Sequence, residues 1–306
     1  MIRYIISRLG QAVLVLIGIS LITFLLTFLV PADPARMIAG RLATPETVAR
    51  IRAELGLDQP LPVQYGRYLW NLLHGDLGRS YAQRIEVTEL LMSRLPATFQ
   101  LMVAGILAEV LLGIPAGILA ALGRGRWPDR LGMVLAFSGV SAPQFAVGLL
   151  LLYLLGYRWP VFPLGGYGTW RHVILPALTL GIAGAGWYAR VMRSAMVEVL
   201  NQHYIRTATA KGLPPTKVVL KHALRNSILP VVSMVGLDIG VFMGGVVVVE
   251  SVFAWPGIGQ LAWQAIQILD IPVIMGVVIL TASFIVLGNL LADLAYPLLD
   301  PRIRYK

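Results

Sequence analysis

Six apolar stretches, each long enough to cross a hydrocarbon layer as a helix, leave this chain few ways to fold. They run at about Leu9–Val30, Pro96–Leu122, Leu131–Leu155, His172–Val191, Ser227–Val249 and Pro272–Leu298, and roughly 20 apolar residues suffice for one crossing. With 57% hydrophobic and 13% charged residues among 306, the chain is too apolar for a soluble globule. A net charge of +10 could suggest nucleic acid, but no basic domain stands apart, so no nucleic-acid partner is expected. The expected class is an all-α polytopic membrane protein with six transmembrane helices. The first stretch is longer than an ordinary signal-peptide core, and no small-x-small cleavage site follows before Pro31. A retained anchor is therefore expected.

Basic residues in the short connections set the direction of the spans. Arg3 and Arg8 precede the first span, and Arg124, Arg126 and Arg130 follow the second. Arg190, Arg193, Arg206, Lys211, Lys217, Lys221 and Arg225 lie between the fourth and fifth, and Arg302, Arg304 and Lys306 end the chain. The third-to-fourth connection holds only Arg158 and Arg171, and the fifth-to-sixth none. Both termini of this multi-pass membrane protein are therefore expected in the cytoplasm. The expected division is an N-terminal span over 1–30, an extracytoplasmic helical segment over 31–95, and a five-helix core over 96–306 with a cytoplasmic loop at 192–226. In the outer segment Thr44 can cap a helix that has Pro45 at its first position, and Gly56 can stop it. A second amphipathic piece carries Tyr65, Tyr68, Leu69, Leu72 and Leu73 and ends at Gly75. It reads as an external cap or as a docking surface.

The loop from His203 to Pro230, HYIRTATAKGLPPTKVVLKHALRNSILP, reads as two short helices around a break. Tyr204, Thr207, Ala208 and Lys211 recur at i, i+3, i+4 and i+7 and share one helical face. Gly212 suits a helix end, and Pro214-Pro215 forbid continuation. Lys217, Lys221 and Arg225 then repeat every fourth residue. Such a segment lies on anionic membrane lipid or offers a grip to a soluble partner.

Catalytic signatures are absent. Gly-Lys never occurs, so there is no phosphate loop, and neither a G-x-S-x-G elbow nor an H-E-x-x-H helix is present. His74, His172, His203 and His222 lack metal-ligand spacing, so no metal site is expected. An intramembrane hydrolase or a passive channel remains as the reading from another class, although Ser138 and Ser141 lack an obvious base. Glu109, Asp238 and Asp293 fall inside spans, where a carboxyl needs a polar partner, a wet cavity or the bundle interior. Asp238 and Glu109 are candidates for lining a pathway, with a structural role as the alternative. Asp293, near Asn289, reads as a helix–helix hydrogen bond. Glycines crowd the fourth span (Gly181, Gly184, Gly186) and the fifth (Gly236, Gly240, Gly244, Gly245), as close helix packing requires.

TATAKG with Gly212 and the following KHALRNSILP resemble the signature loop of permease subunits of bacterial ABC importers, in the dipeptide, oligopeptide, glutathione and nickel branch. FLVPADPAR at Phe28–Arg36, LGLDQPL at Leu55–Leu61, HGDLGRS at His74–Ser80 and ESVFAWPGIGQ at Glu250–Gln260 extend the resemblance over essentially the whole chain. Asp238 and Ile271 stand where close members usually carry Gln and Tyr, which leaves the substrate open. The resemblance implies a type I, MetI-like permease fold. It implies a non-catalytic subunit beside a homologous second permease, two cytosolic ATPases that hold ATP and Mg, and an extracytoplasmic binding protein. No cofactor is implied on this chain. Tyr204, Arg206, Thr207, Ala208, Ala210, Lys211 and Gly212 would couple to an ATPase, with small Ala208 and Ala210 allowing close contact. Trp255, Pro256 and Gly257 would form an outer gate or meet the binding protein. The implied cargo is a dipeptide, short peptide or glutathione, with a nickel chelate as the alternative.

Overall fold

The computed structural model describes residues 2–29, 33–40 and 43–299. The basic tail at Arg302, Arg304 and Lys306, the side chains of Arg3 and Asp293, and part of the Phe28–Arg36 motif lie outside the described residues. Helix α1 (Ile2–Leu29) is followed by three short helices, α2 (Pro34–Ala39), α3 (Pro45–Glu54) and α4 (Leu61–Leu73). Then come α5 (Val87–Leu122), α6 (Trp127–Ser141), α7 (Gln144–Leu151) with a π-helical extension over Leu152–Arg158, and α8 (Trp170–Leu200). After α9 (His203–Ala210), α10 (Pro215–Lys217) runs through a π-helical turn, Val218–Ala223, into α11 (Leu224–Ser227). Helices α12 (Leu229–Met243), α13 (Val247–Val252), α14 (Ile258–Gln267) and α15 (Ile271–Leu299) complete the chain.

Among the described residues, four helices are long and apolar enough to cross a membrane unbroken: α1, α5, α8 and α15. The third and fifth expected spans correspond to bent helix pairs. The third bends by 101° between Ser141 and Gln144. Pro143 holds Ala142 extended, at ψ 131°, because its ring excludes the helical region for the residue before it. The fifth joins Pro215–Ser227 to Leu229–Met243 at 51°, and Pro230 in the first turn of α12 removes a backbone donor there. It stops at Met243 rather than Val249 because Gly244 and Gly245, the latter at φ +87°, turn the chain. The second begins at Val87, nine residues before the expected Pro96, so α5 absorbs both Pro96 and Pro115.

The short helices form a cap after α1, and α4 of this cap packs against the C-terminal half of α1. The Thr44 hydroxyl accepts from Thr47 N at 3.3 Å and starts α3, and Gly56 at φ +66° follows its end. Ser20 and Tyr65 share a hydroxyl hydrogen bond of 2.9 Å, and the Phe24 ring sits 5.3 and 5.9 Å from the rings of Tyr65 and Tyr68.

Helices α5 and α8 form the centre of the bundle. Leu101, Leu175, Leu180, Phe253 and Trp255 build one buried cluster around them, and Tyr188, Met192, Met196, Ile205 and Val218 a second. Their backbones approach at glycines. A Cβ on Gly113 would lie 2.4 Å from Tyr188 Cβ and 2.8 Å from Ala185 O. Gly113→Val should therefore lower the thermal-unfolding midpoint in detergent by forcing the helices apart, a loss of about 1–3 kcal/mol or more. Gly10→Ala, with nothing within 4 Å of the added carbon, should leave the midpoint unchanged or slightly raised.

Candidate functional site

Helix α9 is seated on the bundle rather than hung from it. Ile205 and Ala208, one turn apart, are 5% and 7% exposed and pack with Met196, Val218, Val219 and Ala223. The Asn226 amide donates to Tyr204 Oη at 2.7 Å across the break. Gly212, at φ +76°, ends the helix, with Gly212 N on Thr209 O at 2.9 Å and Leu213 N on Ala208 O at 3.4 Å. That left-handed position suits glycine and satisfies the last carbonyls. Tyr204, Arg206, Thr207, Ala210, Lys211 and Gly212 are exposed. Ala208 is corrected: it faces inward, packed in the cluster with Met196 and Val218, because apolar burial directs the Ile205/Ala208 stripe to the core. Ala210 is the small residue left outside. Lys217, Lys221 and Arg225 are exposed along the bent segment that leads into α12.

In the middle of the bundle, three polar residues from three helices meet. Tyr188 on α8 is 1% exposed and donates its hydroxyl to Asp238 Oδ2 on α12. Glu109 on α5, 5% exposed, faces Asp238. It lies against Gly184, where any Cβ would collide with its carboxyl. Among the described residues no donor meets Glu109 Oε2. Sequence reasoning singled out both acids and the glycine but not Tyr188, which donates to Asp238. Its only signal was a hydroxyl on an apolar helix one turn beyond Gly184.

At the Trp255–Gly257 turn, expected as an outer gate or binding-protein contact, the tryptophan faces inward. Trp255 is fully buried; its indole N–H donates to Ala97 O at 2.9 Å, and Ile258 N donates to Thr98 Oγ1 at 2.8 Å. Tyr167 meets the indole edge-on, with centroids 5.0 Å apart. An indole gains most where its ring is dry and its N–H partnered, which the inside of this turn provides and its outside does not. Gly257 is buried because Glu250 lies beneath it: a Cβ would come within 2.1 Å of Glu250 Oε1. Pro256 is half-buried. Glu250 accepts from Gln260 N at 2.6 Å, and burial pushes its carboxyl up to about 7.

Two further polar ties escaped the sequence pattern. Arg193 of α8 grips Asp129 with two bonds, Nε to Oδ1 at 2.5 Å and Nη2 to Oδ2 at 2.7 Å. Gly125 N also donates to Asp129, so the α5–α6 turn is pinned to α8. Buried Asp270 accepts from Ser80 Oγ and from Tyr81 N and Ala82 N at 3.0 and 3.3 Å, closing the cap onto the start of α15. Partners so distant in sequence leave no local signature. Among the described residues, no cluster of three His, Cys, Asp or Glu could hold a metal ion.

Two family models match the chain. Residues 113–305 match the inner membrane component of binding-protein-dependent transport systems, and residues 1–102 match the N-terminal part of such membrane components. The chain belongs to the binding-protein-dependent transport system permeases. The permease is 45% identical over 306 residues, all of both chains, to the glutathione transport system permease protein GsiC of Salmonella paratyphi A. It is 44% identical over the same full length to GsiC of Escherichia coli K12. Among solved structures, the inward-facing MetNI methionine ABC transporter superposes with a TM-score of 0.59 at 19% identity. That match covers 69% of this chain and 96% of the other. The fold is therefore the all-α type I importer permease fold, in a multi-pass inner-membrane protein. It is a non-catalytic subunit, with ATP hydrolysis, substrate capture and the other permease supplied by partners.

Glu250 gives this permease a pH-dependent stability. Its carboxyl ionises at about 7 in the folded chain against an ordinary value of 4.5, so the folded state holds the proton more tightly than the unfolded state. Its contribution is full below the ordinary value and declines as pH rises through about 7. Thermal midpoints measured over that window should fall with rising pH in the wild type. In Glu250→Gln this component of the decline should vanish.

Proposed function

We propose that this permease forms half of the translocation pathway of an ATP-driven importer for dipeptides, short peptides or glutathione. The observation that carries the reading is α9: a short helix fixed to the bundle through Ile205 and Ala208, with Arg206, Thr207, Ala210 and Lys211 turned outward. Full-length similarity to glutathione permeases supports the cargo class. The second permease is homologous, two cytosolic ATPases hold ATP and Mg, and an extracytoplasmic protein delivers substrate. Both termini are cytoplasmic. Packing of Ala121, from the basic α5–α6 end, in one cluster with Ile205 supports this orientation. The span over 1–30, the outer segment over 31–95 and the core over 96–306, with its loop at 192–226, are the working divisions.

In this reading, ATPase closure around ATP displaces α9 as a rigid unit. Met192 and Met196 of α8 share its buried cluster, so the displacement passes into α8. Close packing converts it into rocking rather than local deformation. About three turns from its loop end, α8 carries Tyr188 against Asp238, where the helices that rock line the path. Lys211→Glu or Gly212→Pro should lower ATP-dependent uptake in proteoliposomes about tenfold or more and weaken ATPase co-purification, at unchanged membrane level. Uptake and co-purification surviving both changes would refute the coupling role. Asp238→Asn should change uptake rate or substrate preference; full transport with unchanged preference removes Asp238 from the pathway.

A further inference from the structure

A cavity of about 740 Å³ lies between the outer end of α1, the cap and the start of α15. Its size suits a small molecule. Phe24, Leu57 and Met275 contribute apolar wall, and one face of α4 contributes polar groups, Arg67, Tyr68 and Asn71, at i, i+1 and i+4. Asp76 stands at the end of that helix, where its backbone N–H folds back onto Asn71 O at 2.9 Å. Two of these groups are poorly served by the protein. Arg67 forms no ion pair among the described residues, and its bond to Leu55 O is 3.5 Å long. Its guanidinium lies across Gly56, where any Cβ would come within 2.2 Å of it, so the turn after α3 leaves room for it. The Tyr68 hydroxyl is buried and meets no partner among the described residues. Burial pushes that phenol up to about 12, so it can only be a neutral donor near pH 7. A buried hydroxyl without an acceptor costs about 1–3 kcal/mol, which a ligand oxygen would relieve. Asp76 accepts from Gly78 N at 2.8 Å through Oδ1, and Oδ2 has no described donor.

We propose that this cavity binds a small zwitterion, its anionic group at Arg67 and Tyr68 and its ammonium at Asp76, with an apolar portion against Phe24 and Met275. Two sources share that chemistry, a short peptide and a phosphatidylethanolamine headgroup from the adjoining leaflet. The nearby end of α1 is exposed to lipid through Leu21, Ile22 and Leu25. The inference rests on the transport reading only for the peptide source and for the side from which either ligand enters.

The test uses the full importer complex in nanodiscs without ATP. One arm titrates dialanine and glutathione by calorimetry in bilayers of phosphatidylglycerol. The other measures phosphatidylethanolamine retained over phosphatidylglycerol by native mass spectrometry. The expected result is a ligand in at least one arm whose binding falls about tenfold in Arg67→Gln and in Tyr68→Phe, as loss of a charge-assisted hydrogen bond requires. Tyr68→Phe removes an unpartnered buried hydroxyl, so its unliganded thermal midpoint should not drop, which separates lost binding from lost folding. Binding in neither arm, or binding indifferent to both substitutions, overturns the proposal. Because these arms need no ATP, absent uptake with intact Arg67-dependent binding would count against the transport reading alone.

Discussion

Everything central in this permease depends on how closely α5 and α8 approach. Without side chains at Gly113 and Gly117 on one helix, and at Gly181 and Gly184 on the other, the two backbones nearly touch. In a bilayer, apolar side chains gain little by leaving lipid, so close van der Waals contact must hold helices together. The same approach creates the space in which Glu109 lies against Gly184 and brings Tyr188 to Asp238. Polar contact in the middle of the bundle is thus a consequence of small residues, not of charge attraction.

Helix α8 is then the common member of three ties that link the loop end to the middle of the bundle. Its loop end shares the methionine-lined cluster that seats α9, Arg193 pins the α5–α6 turn through Asp129, and Tyr188 reaches α12. A displacement applied at α9 has no soft joint before the middle of the bundle. The joints lie elsewhere, at Pro143 and before Pro230, where two crossings bend by 101° and 51°. Rigid transmission through one helix and bending at two prolines is a division of labour suited to rocking.

Much of the secondary structure was legible beforehand because its signals are local. Thr44 with Pro45, Gly56, and Gly212 before Pro214-Pro215 each mark a helix boundary through the conformations those residues allow, and each boundary was found where expected. The site was legible only in part. Glu109 and Asp238 stood out because a carboxyl in an apolar run is costly, but Tyr188, Arg193, Asp129 and Asp270 did not. Their partners are tens of residues away or more, and no spacing rule encodes such pairs. Facing was the weakest inference. A four-residue repeat placed Ala208 with Tyr204 and Lys211, and there burial decided otherwise.

By itself the sequence determined that the chain crosses a membrane several times, carries no phosphate loop of its own, and ends α9 at Gly212. Length of apolar runs, absence of a motif and backbone sterics are properties of neighbouring residues. Tertiary structure alone decided which side of α9 is free, that Trp255 and Gly257 are buried over Glu250, and that Tyr188 of α8 meets Asp238 of α12. Those outcomes depend on which surfaces remain after packing, and packing is set by contacts between distant segments that no local pattern records.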